Sequence, residues 1–434
     1  MAAIASRSEF LSVVAESKLV DDDVLNALRA DDGLADRPTE CAEQLIQKGV
    51  LTRFQAKRLL AGKYRGFVFG PYRIQDQVGK GGMGTVYLCE HATLKRRVAV
   101  KVLAPELAEN KVAVERFLRE ARSASALSHQ NIVRVHHVGQ AGGTHYIVME
   151  FVDGATLEQV VDRKGPFTVG EASQIAIQVA AGLQHAHERG FVHRDIKPEN
   201  LMITKNGLVK ILDMGLTKSV TNASDNLTGV LNTNTILGTL DYLSPEQALQ
   251  NEVSARSDIY SLGATLFMLL TGHSPYDGVP ANQKLMQHQF GKVPNLVDFR
   301  SDAPPEFAAI LTKMMAKKSE ERPASAADVA VSLLPWTLQD GQVANLNLPS
   351  RVMANPAAQS LTPTVRDAAK ATSSDAARPA PTIEVPAALP VPAVIVGTVA
   401  RPKSNRIPGK VWALLAILGM AIGLGVAIAV VKLM

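Results

Sequence analysis

His193-Arg194-Asp195-Ile196-Lys197-Pro198-Glu199-Asn200 sets a carboxylate, an ammonium and an amide within six residues of one segment. Each group suits a different part of moving a phosphoryl group. Asp195 can accept the proton of an attacking hydroxyl, Lys197 can neutralise the charge spreading over the transferred γ-phosphate, and Asn200 can hold Mg²⁺. Thirteen residues beyond Asn200, Asp213-Met214-Gly215 offers a second carboxylate for the metal.

Working outward, Gly79-Lys80-Gly81-Gly82-Met83-Gly84-Thr85-Val86 is a glycine-rich loop of the kind whose backbone can approach phosphate oxygens closely. A dinucleotide fold requires a helix directly after such glycines. Here Thr85-Val86-Tyr87-Leu88 is strand-like, and Val98-Ala99-Val100-Lys101 follows as a second strand ending in a lysine. Strands are expected at Tyr72 to Val78, Thr85 to Cys89 and Arg97 to Leu103, followed by a mostly helical region as far as Trp336. Strands and helices in separate blocks imply an α+β architecture of two lobes, with the motifs meeting in the cleft.

Taken together, these motifs in this order resemble the bacterial eukaryotic-like (Hanks-type) serine/threonine protein kinases over about 265 of the 434 residues. The resemblance implies a bilobal protein kinase fold with a β-rich N-lobe and a helical C-lobe. It implies ATP and Mg²⁺ as cofactors, with Mn²⁺ as an alternative ion, and proteins bearing Ser or Thr as substrates. Asp195, Lys197, Lys101 and Glu120 are then the catalytic set, and Asn200 and Asp213 the metal ligands. Glu120, in Arg116-Phe117-Leu118-Arg119-Glu120-Ala121, is the favoured carboxylate for Lys101, with Glu115 as the alternative. ATP would contact Val78, Gly79, Lys80, Gly81, Gly82, Met83, Gly84, Val86, Ala99 and Lys101. Met149 would be the gatekeeper, the backbone of Glu150 and Val152 would face the adenine edge, and Met202 would complete the apolar sandwich with Val78, Val86 and Ala99.

Three further positions are read from the resemblance as supports. Glu246, in Ser244-Pro245-Glu246, needs a buried partner, and Arg322 is the matching position. Asp258 would anchor the backbone of the catalytic loop. Met214 stands where Phe is usual, and a flexible apolar side chain can fill the same pocket with looser definition. Thr239 together with Lys197 resembles the serine/threonine-specific arrangement. A scaffold that binds nucleotide without catalysis is disfavoured by the presence of Lys101, Asp195, Asn200 and Asp213 together. A small-molecule kinase is disfavoured by the Gly238 to Glu246 segment, which suits a protein substrate. Arg194 precedes the catalytic Asp, so a phosphate on the following segment could pair with it, Thr233 and Thr235 being favoured over Thr228.

Outside this region the chain changes character. Residues 1–65 read as a small helical module: Ser8 to Ser17, Asp21 to Ala30 and Pro38 to Lys48 have helical spacing, and Thr52-Arg53-Phe54-Gln55 has the form of a capping box. Residues 71–336 are the expected kinase domain, and residues 337–410 an Ala- and Pro-rich flexible linker. Val411 to Val431, within residues 411–431, is an uncharged run of about twenty residues, long enough for a C-terminal transmembrane helix. Arg401, Lys403, Arg406 and Lys410 precede it, so a single-pass membrane protein with a cytoplasmic kinase domain and an outside C-terminal end is expected.

Lys plus Arg exceed Asp plus Glu by only 46 to 41, and part of that excess lies beside the apolar run. No nucleic-acid partner is therefore expected, and a membrane is. Gly419 and Gly423, with Ala421 and Gly425 extending the small-residue face, allow homodimerisation through the membrane helix, and the kinase domain is the other surface for it. Cys41 and Cys89 are read as ordinary thiols, and Arg7, Glu9 and Glu16 interrupt any secretory leader.

Overall fold

The computed structural model describes residues 4–214, 240–249, 252–339 and 342–343, with the side chains of Glu120, Ser123, Gln339, Gln342 and Val343 outside the description. Four short helices come first: α1 Arg7–Ser17, α2 Asp22–Arg29, α3 Pro38–Gln47 and α4 Arg53–Leu60. Their ends follow local chemistry. Ser6 caps α1 by accepting from the Glu9 N–H, Thr52 and Gln55 form a complete capping box on α4, and Gly62 follows α4 at φ +71°.

A six-stranded antiparallel sheet comes next, from β1 Val68–Phe69, β2 Tyr72–Gly81, β3 Gly84–His91, β4 Arg97–Leu103, β5 Val135–Ala141 and β6 Thr144–Glu150, in the order β1-β2-β3-β4-β6-β5. The helix α5 Lys111–Ser125 crosses between β4 and β5. Arg97-Val98-Ala99-Val100-Lys101-Val102-Leu103 is apolar on both faces because both faces are covered. Val98, Val100 and Val102 join Phe10, Leu45 and Leu59 of the N-terminal helices in one buried cluster. Leu103, from the opposite face, packs with Phe117 and Ala121 of α5. Residues 4–65 therefore share a core with the sheet, each fully buried large side chain such as Phe10 contributing about 1.5–3 kcal/mol. Cys41 and Cys89 are free, buried thiols in that shared core, and burial raises the pKa of both.

The second lobe is mainly helical. A small sheet of β7 Gly154–Thr156, β8 Leu201–Thr204 and β9 Val209–Ile211 packs against α6 Leu157–Lys164 and α7 Val169–His187, and α8 Pro245–Ala248 and α9 Ala255–Thr271 follow. Further along come α10 Ala281–Phe290, α11 Leu296–Phe299, α12 Pro305–Met314 and α13 Ala326–Leu333. Ser257 to Leu270 of α9 is buried on every side, as an all-round apolar helix in a large core should be. This helix starts at the Ser254 cap, so Asp258 stands in its first buried turn, aimed at the loop before β8. The two-lobed α+β layout agrees with the expectation.

No helix among the described residues is long and apolar enough to cross a membrane. Residues 411–431, most of 337–410, and the Thr228, Thr233, Thr235 and Thr239 positions lie outside the described residues.

Candidate active site

The loop from His193 to Asn200 is held by hydrogen bonds from every side. Asp258, fully buried, accepts the His193 N–H through Oδ2 and the Arg194 N–H through Oδ1, both at 2.8 Å. His187 Nε2 lies 2.7 Å from the same Oδ2. His193 Nε2 contacts Leu212 O at 2.8 Å, while its Nδ1 accepts from the Asp195 N–H at 3.2 Å. These contacts compensate for the left-handed backbone of Arg194, at φ +69°. Asp195 is thereby presented with its carboxylate toward two partners. Asn200 Nδ2 donates to Asp195 Oδ2 at 2.9 Å and to its carbonyl oxygen at 2.8 Å, and Lys197 Nζ is 3.3 Å from Oδ2.

Across the cleft, Lys101 Nζ donates to Asp213 Oδ1 at 3.3 Å. Asp213 is also left-handed, at φ +51°, a conformation that Asp tolerates better than most residues and that marks functional turns. The alternative partner for Lys101, Glu115, is engaged by Arg119 at 3.1 Å on the solvent side of α5. Glu120 is on α5, but its side chain is outside the described residues. Met214 is 3% exposed and, with Asp213 and the apolar Met149, Ile147, Val133, Val135, Ala121 and Ala124, lines a cavity of about 20 Å³. The expected apolar pocket therefore holds methionine, while Gly215 lies outside the described residues.

The glycine loop is the tip of the β2–β3 hairpin, with Gly81 opposite Gly84 and a two-residue turn at Gly82 and Met83. A strand follows it, so the dinucleotide alternative fails on geometry. The Met83 carbonyl accepts from the Ala104 N–H at 3.0 Å and ties the tip to the end of β4. Gly84 is required by the fold, since a Cβ there would come within 1.9 Å of Val102 O. Gly79, Gly81 and Gly82 differ. A Cβ at any of them meets no protein atom within 4 Å.

Below the loop, Val86 pairs with Lys101 and Ala99 with Met149, and Val78 is 37% exposed. Met202 lies on β8 opposite Thr156. The Glu150 N–H donates to Arg134 O at 2.8 Å, and its carboxylate pairs with Lys210 at 2.7 Å. Among the described residues, the N–H and C=O of Val152 make no backbone hydrogen bond.

Arg322 and Glu246 meet in a two-pronged ion pair, Nη1 to Oε1 at 2.7 Å and Nη2 to Oε2 at 2.8 Å. Ser257 Oγ adds a 2.5 Å hydrogen bond to Oε1. Burial opposes the Glu246 charge, but the hydrogen bonds and positive charge of Arg322 prevail and hold its carboxyl below the usual range. Nearby, Lys284 of α10 pairs with Asp241, and Ser274 Oγ donates to the same carboxylate at 3.0 Å.

The protein kinase domain family model matches residues 72–333, more than half of the chain. The chain belongs to the protein kinase family. Its kinase domain is similar to serine/threonine-protein kinase PrkC of Bacillus subtilis, 38% identical over 266 residues that make up 61% of this chain and 40% of PrkC. Serine/threonine-protein kinase PknB of Mycolicibacterium smegmatis is 39% identical over 267 residues, 61% of this chain and 42% of PknB. The chain thus spans about two fifths of the length of the relatives it matches. A crystal structure of a double mutant of the Mycobacterium tuberculosis PknI kinase domain superposes with a TM-score of 0.50 at 28% identity, covering 62% of this chain and 97% of that domain.

Sequence reading of the kinase domain missed several of its supporting groups. Gln247 Nε2 donates to Arg194 O at 2.8 Å while its Oε1 serves the Ser244 cap, and Lys210 secures Glu150. Ser244-Pro245-Glu246-Gln247 does carry the capping-box pattern that would have drawn attention to Gln247.

Proposed function

We propose that this chain is an ATP- and Mg²⁺-dependent serine/threonine protein kinase acting at the cytoplasmic face of a membrane. The observation that carries the reading is the Asp195 carboxylate, held by Asn200 and beside Lys197, across from the Lys101–Asp213 pair. In this reading a substrate Ser or Thr hydroxyl gives its proton to Asp195 as its oxygen bonds to the γ-phosphorus of ATP. The bond between that phosphorus and the β,γ-bridging oxygen breaks, and ADP leaves. Lys197 offsets charge on the transferred group, and Lys101 orients the α- and β-phosphates.

The residues present fit a divalent cation. Asn200 commits its amide nitrogen to Asp195, leaving Oδ1 for a metal, and Asp213 offers a partly exposed carboxylate. Mg²⁺, or Mn²⁺ in its place, would supply charge neutralisation between the phosphates. The open space over Gly79, Gly81 and Gly82 suits close approach of ATP phosphates, with Lys80, Met83 and Gly84 completing the loop. Val78, Val86, Ala99 and Met202 would enclose the base, and the backbone of Glu150 and Val152 would meet its edge behind Met149.

The test is transfer from ATP labelled at the γ-phosphate to a mixed protein substrate. Label is expected on Ser and Thr and not on Tyr, with autophosphorylation at Thr233 or Thr235. Label on Tyr alone, or an active enzyme without phosphate between residues 216 and 239, would overturn the corresponding part.

Membrane attachment is proposed from Val411 to Val431 and the basic residues before it. The full chain should pellet with membranes and require detergent for release, while a chain ending at Lys410 should remain in the supernatant. Recovery of the full chain in the soluble fraction would remove the anchor from the proposal. Gly419 and Gly423 have the spacing that lets membrane helices pair, so the anchor would also raise the local concentration of one kinase domain beside another.

A further inference from the structure

Gln75 is the extra residue of a bulge in β2. Ile74 pairs with Cys89 and Asp76 with Leu88, so Gln75 has no residue opposite it. Bulges interrupt the ladder and leave backbone groups to be satisfied elsewhere. Here the N-terminus of α4 takes both carbonyls: Gln55 Nε2 donates to Ile74 O at 2.5 Å, and Thr52 Oγ1 donates to Gln75 O at 2.6 Å.

The same two side chains cap α4. Thr52 Oγ1 accepts from the Gln55 N–H at 3.2 Å, and Gln55 Oε1 accepts from the Thr52 N–H at 2.8 Å. Both residues are buried, at 6% and 3% exposed, and each uses a donor and an acceptor. A capping box accepts Glu as readily as Gln at its fourth position. Only Gln also supplies the N–H that Ile74 O takes, because an ionised carboxylate has none. The amide at residue 55 is therefore explained by β2 and not by the helix.

Contacts on either side of the bulge repeat the pattern. Arg73 pairs with Asp21 at 2.5 Å, and Phe54 of α4 packs on Tyr87, the β3 partner of Gln77, with ring centroids 6.4 Å apart. Arg58 stacks over Phe54 and Phe67, at 5.6 and 5.7 Å from their centroids. From Gln75, four residues, at most about 13 Å, lead past a second bulge at Val78 to Gly79.

We propose that Thr52 and Gln55 are positioning residues for nucleotide binding, which fix the β2 bulge and through it the placement of the glycine loop. The helices of residues 1–65 then act as a working part of the nucleotide-binding lobe. This inference rests on the kinase reading.

The test uses the full chain with Gln55→Glu, Thr52→Val and Thr52→Ser. Gln55→Glu keeps the helix cap and loses the donor to Ile74 O, while Thr52→Ser keeps both bonds. Gln55→Glu and Thr52→Val should each raise KM for ATP, and the dissociation constant of Mg²⁺-ATP measured by calorimetry, about three- to tenfold. Turnover at saturating ATP and KM for the phosphoacceptor should stay within about twofold, and Thr52→Ser should match the parent. A role confined to stability would lower the melting temperature and leave the ATP constants of the folded protein unchanged. That result, in Gln55→Glu or, should it not fold, in Thr52→Val, overturns the proposal. A parent chain that binds Mg²⁺-ATP without transferring phosphate would refute the kinase reading instead, and the calorimetric comparison would still decide this one.

Discussion

Asp195→Asn is expected to lower kcat by about 10²- to 10⁴-fold while leaving Mg²⁺-ATP affinity near that of the parent chain. The substitution is isosteric, and Asn still presents an oxygen to the Asn200 amide that now donates to Asp195 Oδ2 at 2.9 Å. What it removes is the base for the substrate hydroxyl. Asp213→Asn should behave differently, because that carboxylate pairs with Lys101 at 3.3 Å and is the proposed metal ligand. Its nucleotide affinity should fall and lose its dependence on Mg²⁺. Calorimetric titration of ATP with and without chelator, beside steady-state kinetics, separates the two effects. An Asp195→Asn enzyme turning over at close to the parent rate would remove Asp195 from the mechanism.

Most of this arrangement was legible because the chemistry is concentrated in short segments. Residue type, spacing and the family resemblance gave His193 to Asn200 and Asp213 their proposed roles, and the structure sets Asn200 and Lys197 at Asp195, Lys101 at Asp213, and the Leu212 N–H on Asn200 O. Glu246 and Arg322 are 76 residues apart, yet they meet, a pairing that only the family resemblance suggested. Other contacts were not legible, for a physical reason. Gln55 reads as a helix-capping glutamine, Gln247 stands in the same pattern without having been singled out, and each does cap its helix through Oε1. Their Nε2 atoms then reach Ile74 O and Arg194 O, contacts set by tertiary packing that no local pattern encodes.

The role of residues 1–65 was obscured in the same way. Their helices, the capping box and the Gly62 stop follow from local sequence, whereas the surface they cover does not. A sign of it was present in Arg97 to Leu103, where Val98, Val100 and Val102 are apolar on a face that a solvated sheet would leave polar. The antiparallel sheet is clad by α5 on one side and by the N-terminal helices on the other.

Removing Arg322 should produce the largest loss of stability. Its guanidinium is wholly buried and makes, besides the two bonds to Glu246, hydrogen bonds to Ala316 O at 2.8 Å, Arg256 O at 2.9 Å and Lys317 O at 3.1 Å. Arg322→Met leaves the Glu246 carboxylate buried without its cation, which costs about 3–5 kcal/mol. For a domain of this size that corresponds to a fall in melting temperature of about 6–20 °C. Glu246→Gln in the same chain should recover part of the loss and not all of it, because the three carbonyls remain unpaired. The pair also has a definite pH signature. Glu246 is held below its ordinary value of 4.5 in the folded state, so its contribution is fully present above pH 4.5 and is lost as pH falls through the lower folded value. Denaturation of the parent and of Arg322→Met should therefore differ most near neutral pH, and the gap should narrow in acid to the part the three carbonyls account for. A gap that stays constant from pH 7 down to pH 3 would show that Arg322 acts through the carbonyls alone and that the ion pair contributes nothing.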